Sequence, residues 1–202
     1  MECKLLETTK QKNSLTGSLQ QGFTLVELMV VITVLLVLLV VAVPGLSSLI
    51  RNNQMVTDTY ALRATLNNAR SEAITRRARV VVCPTTDGSA CVSSSDWSTG
   101  YMTFVDTDQN TVPDPNDPAE ELIQWEPRSR AMEVLFDSVS GAQTVAFSSR
   151  GIALGSEGTF LFCDERGAAE ARGLQLTPVG SVRSAIGAEV SAAAANFSSE
   201  CP

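Results

Sequence analysis

A single uninterrupted apolar stretch, residues 23–43, constrains the fold of this chain more than any other feature. A helix of that length would be about 32 Å long, which is enough to cross the roughly 30 Å hydrocarbon core of a bilayer. Glu27 is the one charged residue within it. Because a carboxylate inside a membrane costs roughly several kcal/mol unless it finds a partner, we expect Glu27 to be functional.

The residues in front of this stretch do not have the order of a secretory signal. Such a signal places its small-residue cleavage site after the apolar segment, whereas Gly22 comes before it. Cleavage between Gly22 and Phe23 would remove a hydrophilic leader, residues 1–22, and leave a membrane helix, residues 23–45, on the protein. The alternative is a plain single-span anchor that keeps its leader and tolerates Glu27 near one membrane interface.

The segment from Gly22 to Pro44 resembles the N-terminal signature of type IV pilins and type II secretion pseudopilins. The resemblance implies cleavage after Gly22 by prepilin peptidase, N-methylation of Phe23, and a helix that bends at Pro44. It also puts Glu27 at the acidic position of the signature. We expect Glu27 to pair with the terminal amine of Phe23 on a neighbouring subunit, because an opposite charge would replace the water lost in the membrane.

Composition excludes most catalytic chemistry. All three lysines lie in residues 1–22 and the chain has no histidine, so residues 23–202 carry 12 arginines against 20 acids, a net charge of −8. Serine and cysteine nucleophiles usually need a histidine or lysine base, a Schiff base needs lysine, and most zinc sites use histidine. We therefore expect neither an enzyme nor a bound cofactor.

Four cysteines follow the apolar stretch, while Cys3 lies in the leader. The lysines of the leader favour a cytoplasmic N-terminus, which would place the remaining residues in an oxidising compartment. Three pairings of the four cysteines are possible, and we favour Cys83–Cys91 and Cys163–Cys201. In the loop-entropy account these bridges contribute about 2.6 and about 4 kcal/mol.

Residues 46–78 keep a helical period but become amphipathic, and five apolar residues fall on one stripe. These are Met55, Leu62, Leu66, Ala69 and Ala73. Residues 79–202 instead contain eight short strand-like segments separated by turn residues: 80–83, 101–105, 121–125, 132–136, 144–147, 159–163, 174–177 and 181–184. Residues 185–200 are predicted to form a loop or tail held by Cys201. The predicted fold class is α+β, a long N-terminal helix with a transmembrane half and an amphipathic half, packed on an antiparallel β-sheet domain of one or two sheets.

Three later segments, residues 62–76, 147–151 and 172–180, resemble the GspH/FimT group within this superfamily. Membership implies a minor pilin or pseudopilin, at or near the tip of a filament and active in starting its assembly. It further implies a single-pass protein of the inner membrane with a periplasmic domain. The implied partners are other pilin or pseudopilin subunits, prepilin peptidase and membrane lipid. The filament is either a type IV pilus or a type II secretion pseudopilus.

Two alternatives to a purely structural subunit remain open. One branch of the group is similar to DNA-uptake minor pilins, which bind DNA through a C-terminal Gly-Arg-x-Arg motif. Here only Arg183 of the two arginines is present, although Arg166 and Arg172 would extend a patch. DNA binding is not favoured, because the net charge of −8 opposes binding to phosphates. The second alternative is a module that contacts an external surface.

A calcium site is the weakest of the sequence hypotheses. Asp106, Asp108 and Asn110 have the spacing of oxygen ligands in a calcium loop, and two more aspartates follow. However, Thr111 stands where an EF-hand loop needs glycine, three prolines stiffen the segment, and its flanks are predicted strands. We therefore expect an acidic hairpin loop without a metal.

Overall fold

The computed structural model describes residues 22–128 and 132–201. The chain divides into two units, Met1–Leu46 and Ser47–Pro202. Apart from Gly22, the predicted leader lies outside the described residues. In chain order the elements are α1 Leu25–Arg76, β1 Val80–Pro84, β2 Gly100–Val105, β3 Leu122–Pro127, β4 Glu133–Ser138, β5 Val145–Phe147, β6 Gly158–Cys163, a 3-10 helix Ala168–Glu170, β7 Arg172–Leu176, β8 Val182–Ser184 and α2 Gly187–Asn196.

The first unit contains the apolar part of α1. Every side chain of residues 22–40 is exposed, although nearly all of them are large and apolar. By length and composition, α1 is the one helix in the described part of the chain that could cross a membrane. Exposure of this many apolar side chains to water would be unfavourable, which indicates that lipid or other helices surround them.

The second unit is built around the amphipathic part of α1. All five residues of the predicted stripe are buried, from Met55 at 0% exposure to Ala69 at 1%, because residues three or four apart lie on the same face of a helix. They pack into one core with apolar side chains from β1, β4, β6 and β7. The predicted fold class, α+β with a helix packed on antiparallel strands, is confirmed.

The strands form two antiparallel sheets of four strands each. Their orders are β3-β2-β1-β5 and β4-β6-β7-β8. Both sheets contribute to the core around α1, and aromatic rings fill its centre. Trp97, fully buried, lies 5.0 Å from Phe160, and Phe160 stacks on Phe136 with 4.3 Å between ring centroids. The two-sheet arrangement that the sequence left open is therefore the one found.

The prediction of a loop over residues 185–200 was wrong, because Gly187–Asn196 forms α2. The Glu189 carboxylate accepts the backbone N–H of Ile186 and closes the first turn. Alanine, the main residue of this segment, has the highest helix propensity but produces little hydrophobic periodicity. Ala193 and Ala194 pack against Leu135 and the Cys163–Cys201 bridge, so a helix of small side chains can lie close to the second sheet.

Arg70 ties α1 to two loops distant in sequence. Its Nε donates to the carbonyl of Gly151 at 2.8 Å, and its Nη2 donates to the carbonyl of Val179 at 3.1 Å. The first loop connects β5 to β6, and the second connects β7 to β8. Gly180 packs closely against the same Gly151 carbonyl, since a Cβ on Gly180 would lie 2.0 Å from the Gly151 oxygen. One guanidinium therefore fixes the position of both loops on the helix.

We predict that Gly180→Ala is much more destabilising than Gly141→Ala. Both glycines have a φ near +76°, so either alanine suffers the left-handed penalty of about 1–2 kcal/mol. Only the alanine at Gly180 would displace the Gly151 carbonyl, at a further cost of about 1–3 kcal/mol, because nothing lies within 4 Å of a Cβ at Gly141. Thermal unfolding of the two full-length variants in detergent measures the difference, and equal melting temperatures would contradict the close approach of Gly180 to the Gly151 carbonyl.

Candidate functional site

The start of α1 is a capped helix terminus next to the predicted cleavage point. The Thr24 hydroxyl oxygen accepts the backbone N–H of Glu27 at 3.2 Å, and the Thr24 carbonyl accepts the N–H of Leu28 at 3.1 Å. Thr24 is therefore the N-cap, and Glu27 stands at the third helical position. The sequence analysis missed this role, although Thr-x-x-Glu is a recognisable capping pattern. Gly22 and Phe23, both exposed, precede the helix.

Glu27 is a solitary charge on this segment. The described part of the chain gives it no ion pair, and its exposed neighbours are apolar. Its position in the first turn is favourable for a carboxylate, because the helix N-terminus carries partial positive charge. That interaction is worth about 0.3–1 kcal/mol, less than the cost of an unpaired acid in hydrocarbon. The described part of the chain therefore offers Glu27 no cation that would offset this cost in a membrane.

The four cysteines form Cys83–Cys91 and Cys163–Cys201, the two pairs that the sequence analysis favours. The first bridge closes a short loop whose Gly88 packs against the indole of Trp125, where a Cβ would come within 2.5 Å of the ring. The second ties the chain after α2 to strand β6. Because Cys83, Cys91, Cys163 and Cys201 are all oxidised in these bridges, none of them has a free thiol for nucleophilic or metal chemistry.

Two of the three arginines proposed for DNA binding are neutralised by carboxylates of the same chain. Arg166 Nη2 donates to Asp164 at 2.6 Å, and the guanidinium holds the pKa of Asp164 below its usual range. Arg183 makes a two-pronged contact with Glu189, which likewise lowers the pKa of that acid. The net positive charge that phosphate binding requires is therefore reduced at both positions.

The third arginine, Arg172, lines a groove instead. This groove has a volume of about 600 Å³ and lies between α1 and the segment from the 3-10 helix to α2. Arg63 and the exposed Tyr60 of α1 line it as well. No ion pair in the described residues involves Arg63 or Arg172. Of the three arginines in the predicted patch, Arg172 is thus the one without an ion pair among the described residues, and it lies in the groove.

The loop between β2 and β3 gathers acidic groups. Asp106, Asp108 and Glu120 each place one carboxylate oxygen within 4.8 Å of the other two. Asn110, which the sequence grouped with the two aspartates, instead donates its Nδ2 to Asp108. Asp106 is fully buried and lies beside Arg79, with 3.1 Å between Oδ2 and Nε. Burial raises the pKa of Asp106, and the nearby guanidinium only partly offsets that effect.

Comparison with known proteins identifies the relatives of this chain. The sequence profile of the family described as Type II transport protein GspH matches residues 58–180. The profile of the prokaryotic N-terminal methylation motif matches residues 17–43. No curated protein sequence matches the chain.

Solved structures that are similar to this chain include a minor pilin and a minor pseudopilin. The type IV minor pilin FimU of Pseudomonas aeruginosa aligns with a TM-score of 0.50 at 20% identity, over 68% of this chain and 92% of that protein. The minor pseudopilin EpsH from the type 2 secretion system of Vibrio cholerae aligns with a TM-score of 0.46 at 11% identity, over 65% of this chain and 95% of that protein. The FimU alignment supports a pilin-like fold over the 68% of this chain that it covers.

We predict that the two disulfides contribute unequally to stability. The bridges span 8 and 38 residues, and loop-closure entropy gives about 2.6 and about 4 kcal/mol. The double variant Cys163→Ala, Cys201→Ala should therefore unfold at a lower urea concentration than Cys83→Ala, Cys91→Ala. Each variant keeps one native bridge and serves as the control for the other. The reverse order of midpoints would show that strain or packing outweighs loop length.

Proposed function

Because the chain belongs to the GspH family of type II transport proteins, we propose that it is a minor pilin or pseudopilin that acts in filament initiation or at a filament tip. The observation that carries this proposal is the lone carboxylate of Glu27 in an exposed apolar helix. Such a helix is suited to storage in a membrane and to lateral packing against identical or similar helices.

Processing is proposed to start at the boundary between Gly22 and Phe23. The methylation motif covers this boundary, and both residues are exposed ahead of the first helical turn. Prepilin peptidase would cut after Gly22, and the new amine of Phe23 would be N-methylated. The lysines of the leader would stay in the cytoplasm, so the disulfide-bonded domain would face the periplasm.

Glu27 is proposed to make assembled subunits more stable in the membrane than isolated subunits. The described part of its chain gives Glu27 no ion pair, and in the membrane the Phe23 amine of a neighbour would neutralise its charge. The pairing fixes the axial offset between neighbouring helices, because the two charges are four residues apart on each chain. Pro44 is proposed to loosen the helix beyond this contact, since proline removes a backbone donor and crowds the preceding turn.

A binding rather than a chemical role agrees with the rest of the domain. Residues 23–202 contain no lysine or histidine, and the four cysteines of this region are oxidised in pairs. The domain is therefore proposed to act through binding at its surface, and its partners are proposed to be other pilin or pseudopilin subunits. FimU, which shares the fold, is itself described as a minor pilin.

DNA binding is the second candidate, and the groove lined by Arg63 and Arg172 is the observation in its favour. A single strand of nucleic acid uses both positive charge and an aromatic surface, which Tyr60 would provide here. Against it, the chain is acidic overall, and Arg166 and Arg183 already contact carboxylates. We therefore keep the assembly role as the principal proposal.

We predict that Glu27→Gln is processed normally but fails to enter filaments. The neutral amide cannot pair with an ammonium group, so the share of the protein in sheared filaments should fall at least about tenfold, equivalent to about 1.4 kcal/mol. Quantitative mass spectrometry of sheared filaments from the native host measures this share and shows whether the chain begins with N-methylated Phe23.

Thr33→Val is the matched control, because it removes a polar group of the same helix whose hydroxyl only bonds the Val30 carbonyl. Glu27→Asp should recover part of the incorporation. Normal incorporation of Glu27→Gln would remove the charge-pairing proposal. Co-purification of the wild-type chain with pili or with pseudopilus components would identify the filament to which it belongs. Absence of the chain from both preparations would overturn the assembly role itself.

We also predict that the wild-type chain in detergent does not retain duplex or single-stranded DNA at about 0.15 M salt, where phosphate contacts are already weakened. Fluorescence anisotropy with a labelled oligonucleotide measures this directly. Retention that decreases with salt and is lost in Arg63→Ala, Arg172→Ala would instead establish the groove as a nucleic-acid site. Arg183→Ala is the control, since that guanidinium is already paired with Glu189.

A further inference from the structure

The loop between β2 and β3, residues 106–121, assembles three carboxylates in a geometry that fits one cation. One oxygen each from Asp106, Asp108 and Glu120 lies within 4.8 Å of the other two. Oxygens bound to the same calcium ion at 2.3–2.6 Å are separated by at most about 5 Å. Glu120 was absent from the sequence hypothesis because it comes twelve residues after Asp108.

Asp106, a member of this cluster, has one buried carboxylate oxygen without a hydrogen-bond partner among the described residues. The Asp106 side chain is fully buried, and its Oδ2 lies 3.1 Å from Arg79 Nε and accepts the N–H of Thr111 at 3.3 Å. Among the described residues its Oδ1 has no hydrogen-bond partner. An unsatisfied buried carboxylate oxygen is unfavourable. A bound cation would supply the missing interaction without disturbing the contact with Arg79.

Glu120 is held in place before any ion binds. Its Oε1 accepts the backbone N–H groups of Thr107 at 3.1 Å and Asp108 at 3.4 Å, and its Oε2 accepts that of Asp114 at 3.0 Å. Asn110 orients Asp108 in the same way, because its Nδ2 donates a hydrogen bond to Asp108 Oδ2. Hydrogen bonds of this kind orient metal ligands. The oxygens therefore need little rearrangement to reach one ion.

The charge of the cluster matches a divalent cation. Three carboxylates and the guanidinium of Arg79 sum to −2 when all are ionised. The donors are all oxygens, which select hard cations over zinc or copper.

We propose that Asp106, Asp108 and Glu120 form a calcium site that fastens the 106–121 loop to the first sheet. Ca²⁺ is favoured over Mg²⁺ because an irregular loop suits a flexible coordination shell, whereas Mg²⁺ demands octahedral geometry and keeps its water. Further ligands would come from water and from loop oxygens, such as Asp117 Oδ2, which lies 3.4 Å from the Thr107 hydroxyl. The site is independent of the membrane segment and of the assembly role.

The test is calcium titration of the full-length chain in detergent after treatment with EGTA. Calcium alone should raise the melting temperature, with a smaller effect of magnesium at equal concentration, and isothermal titration calorimetry should show about one ion per chain. Asp108→Asn should weaken calcium binding at least tenfold while the melting temperature in EGTA stays near that of the wild type, because Asp108 is exposed.

Glu121→Gln is the matched control. Glu121 is the neighbour of Glu120 but pairs with Arg76 outside the cluster, so this variant should keep the wild-type calcium affinity. Two outcomes would overturn the proposal. One is a folded wild-type chain whose melting temperature and calorimetric signal do not respond to calcium up to 10 mM, a range that includes the weak extracellular sites at about 10⁻⁴–10⁻³ M. The other is an Asp108→Asn variant that binds calcium as tightly as the wild type.

Discussion

The packing of one face of α1 against both sheets is the contact on which the rest of this domain depends. The stripe from Met55 to Ala73 is buried in one core with apolar side chains of both four-stranded sheets. The same helix presents Arg70 to the loops that carry Gly151 and Val179. Loss of the helix would therefore expose the apolar faces of the strands and release the two loops at once. We therefore expect the helix and the two sheets to unfold together as one cooperative unit.

Strong periodicity made much of this fold predictable. The stripe on α1 and the strands of residues 79–202 have long or alternating apolar patterns, and the structure contains a strand at each of the eight predicted places, shifted by one or two residues at most ends. Helix α2 could not be predicted in the same way. Its buried face consists of Ala193 and Ala194, whose small side chains give a weak hydrophobic signal despite a high helix propensity.

The polar sites were less predictable, because their partners are distant in sequence or act through the backbone. Nothing near Arg70 indicates that it bonds carbonyls 81 and 109 residues away. The pairing of Arg183 with Glu189 depends on the turn into α2, which the sequence analysis did not contain. Glu120 joins Asp106 only because the loop folds back on itself. A sequence pattern identifies residue types with suitable chemistry, whereas folding decides which of them meet.

Glu27 and Asp106 illustrate the same electrostatic cost, that of a carboxylate away from water, in two different environments. Each is a carboxylate deprived of water, the first by the proposed membrane and the second by the protein core. Asp106 is partly compensated within its chain, since Arg79 lies beside one oxygen, while the other has no hydrogen-bond partner among the residues that the structure describes. Glu27 has no cation in the described part of its chain. A charge that is costly to isolate restricts what can lie beside it, and for these two residues the partners we propose are a second subunit and a small cation.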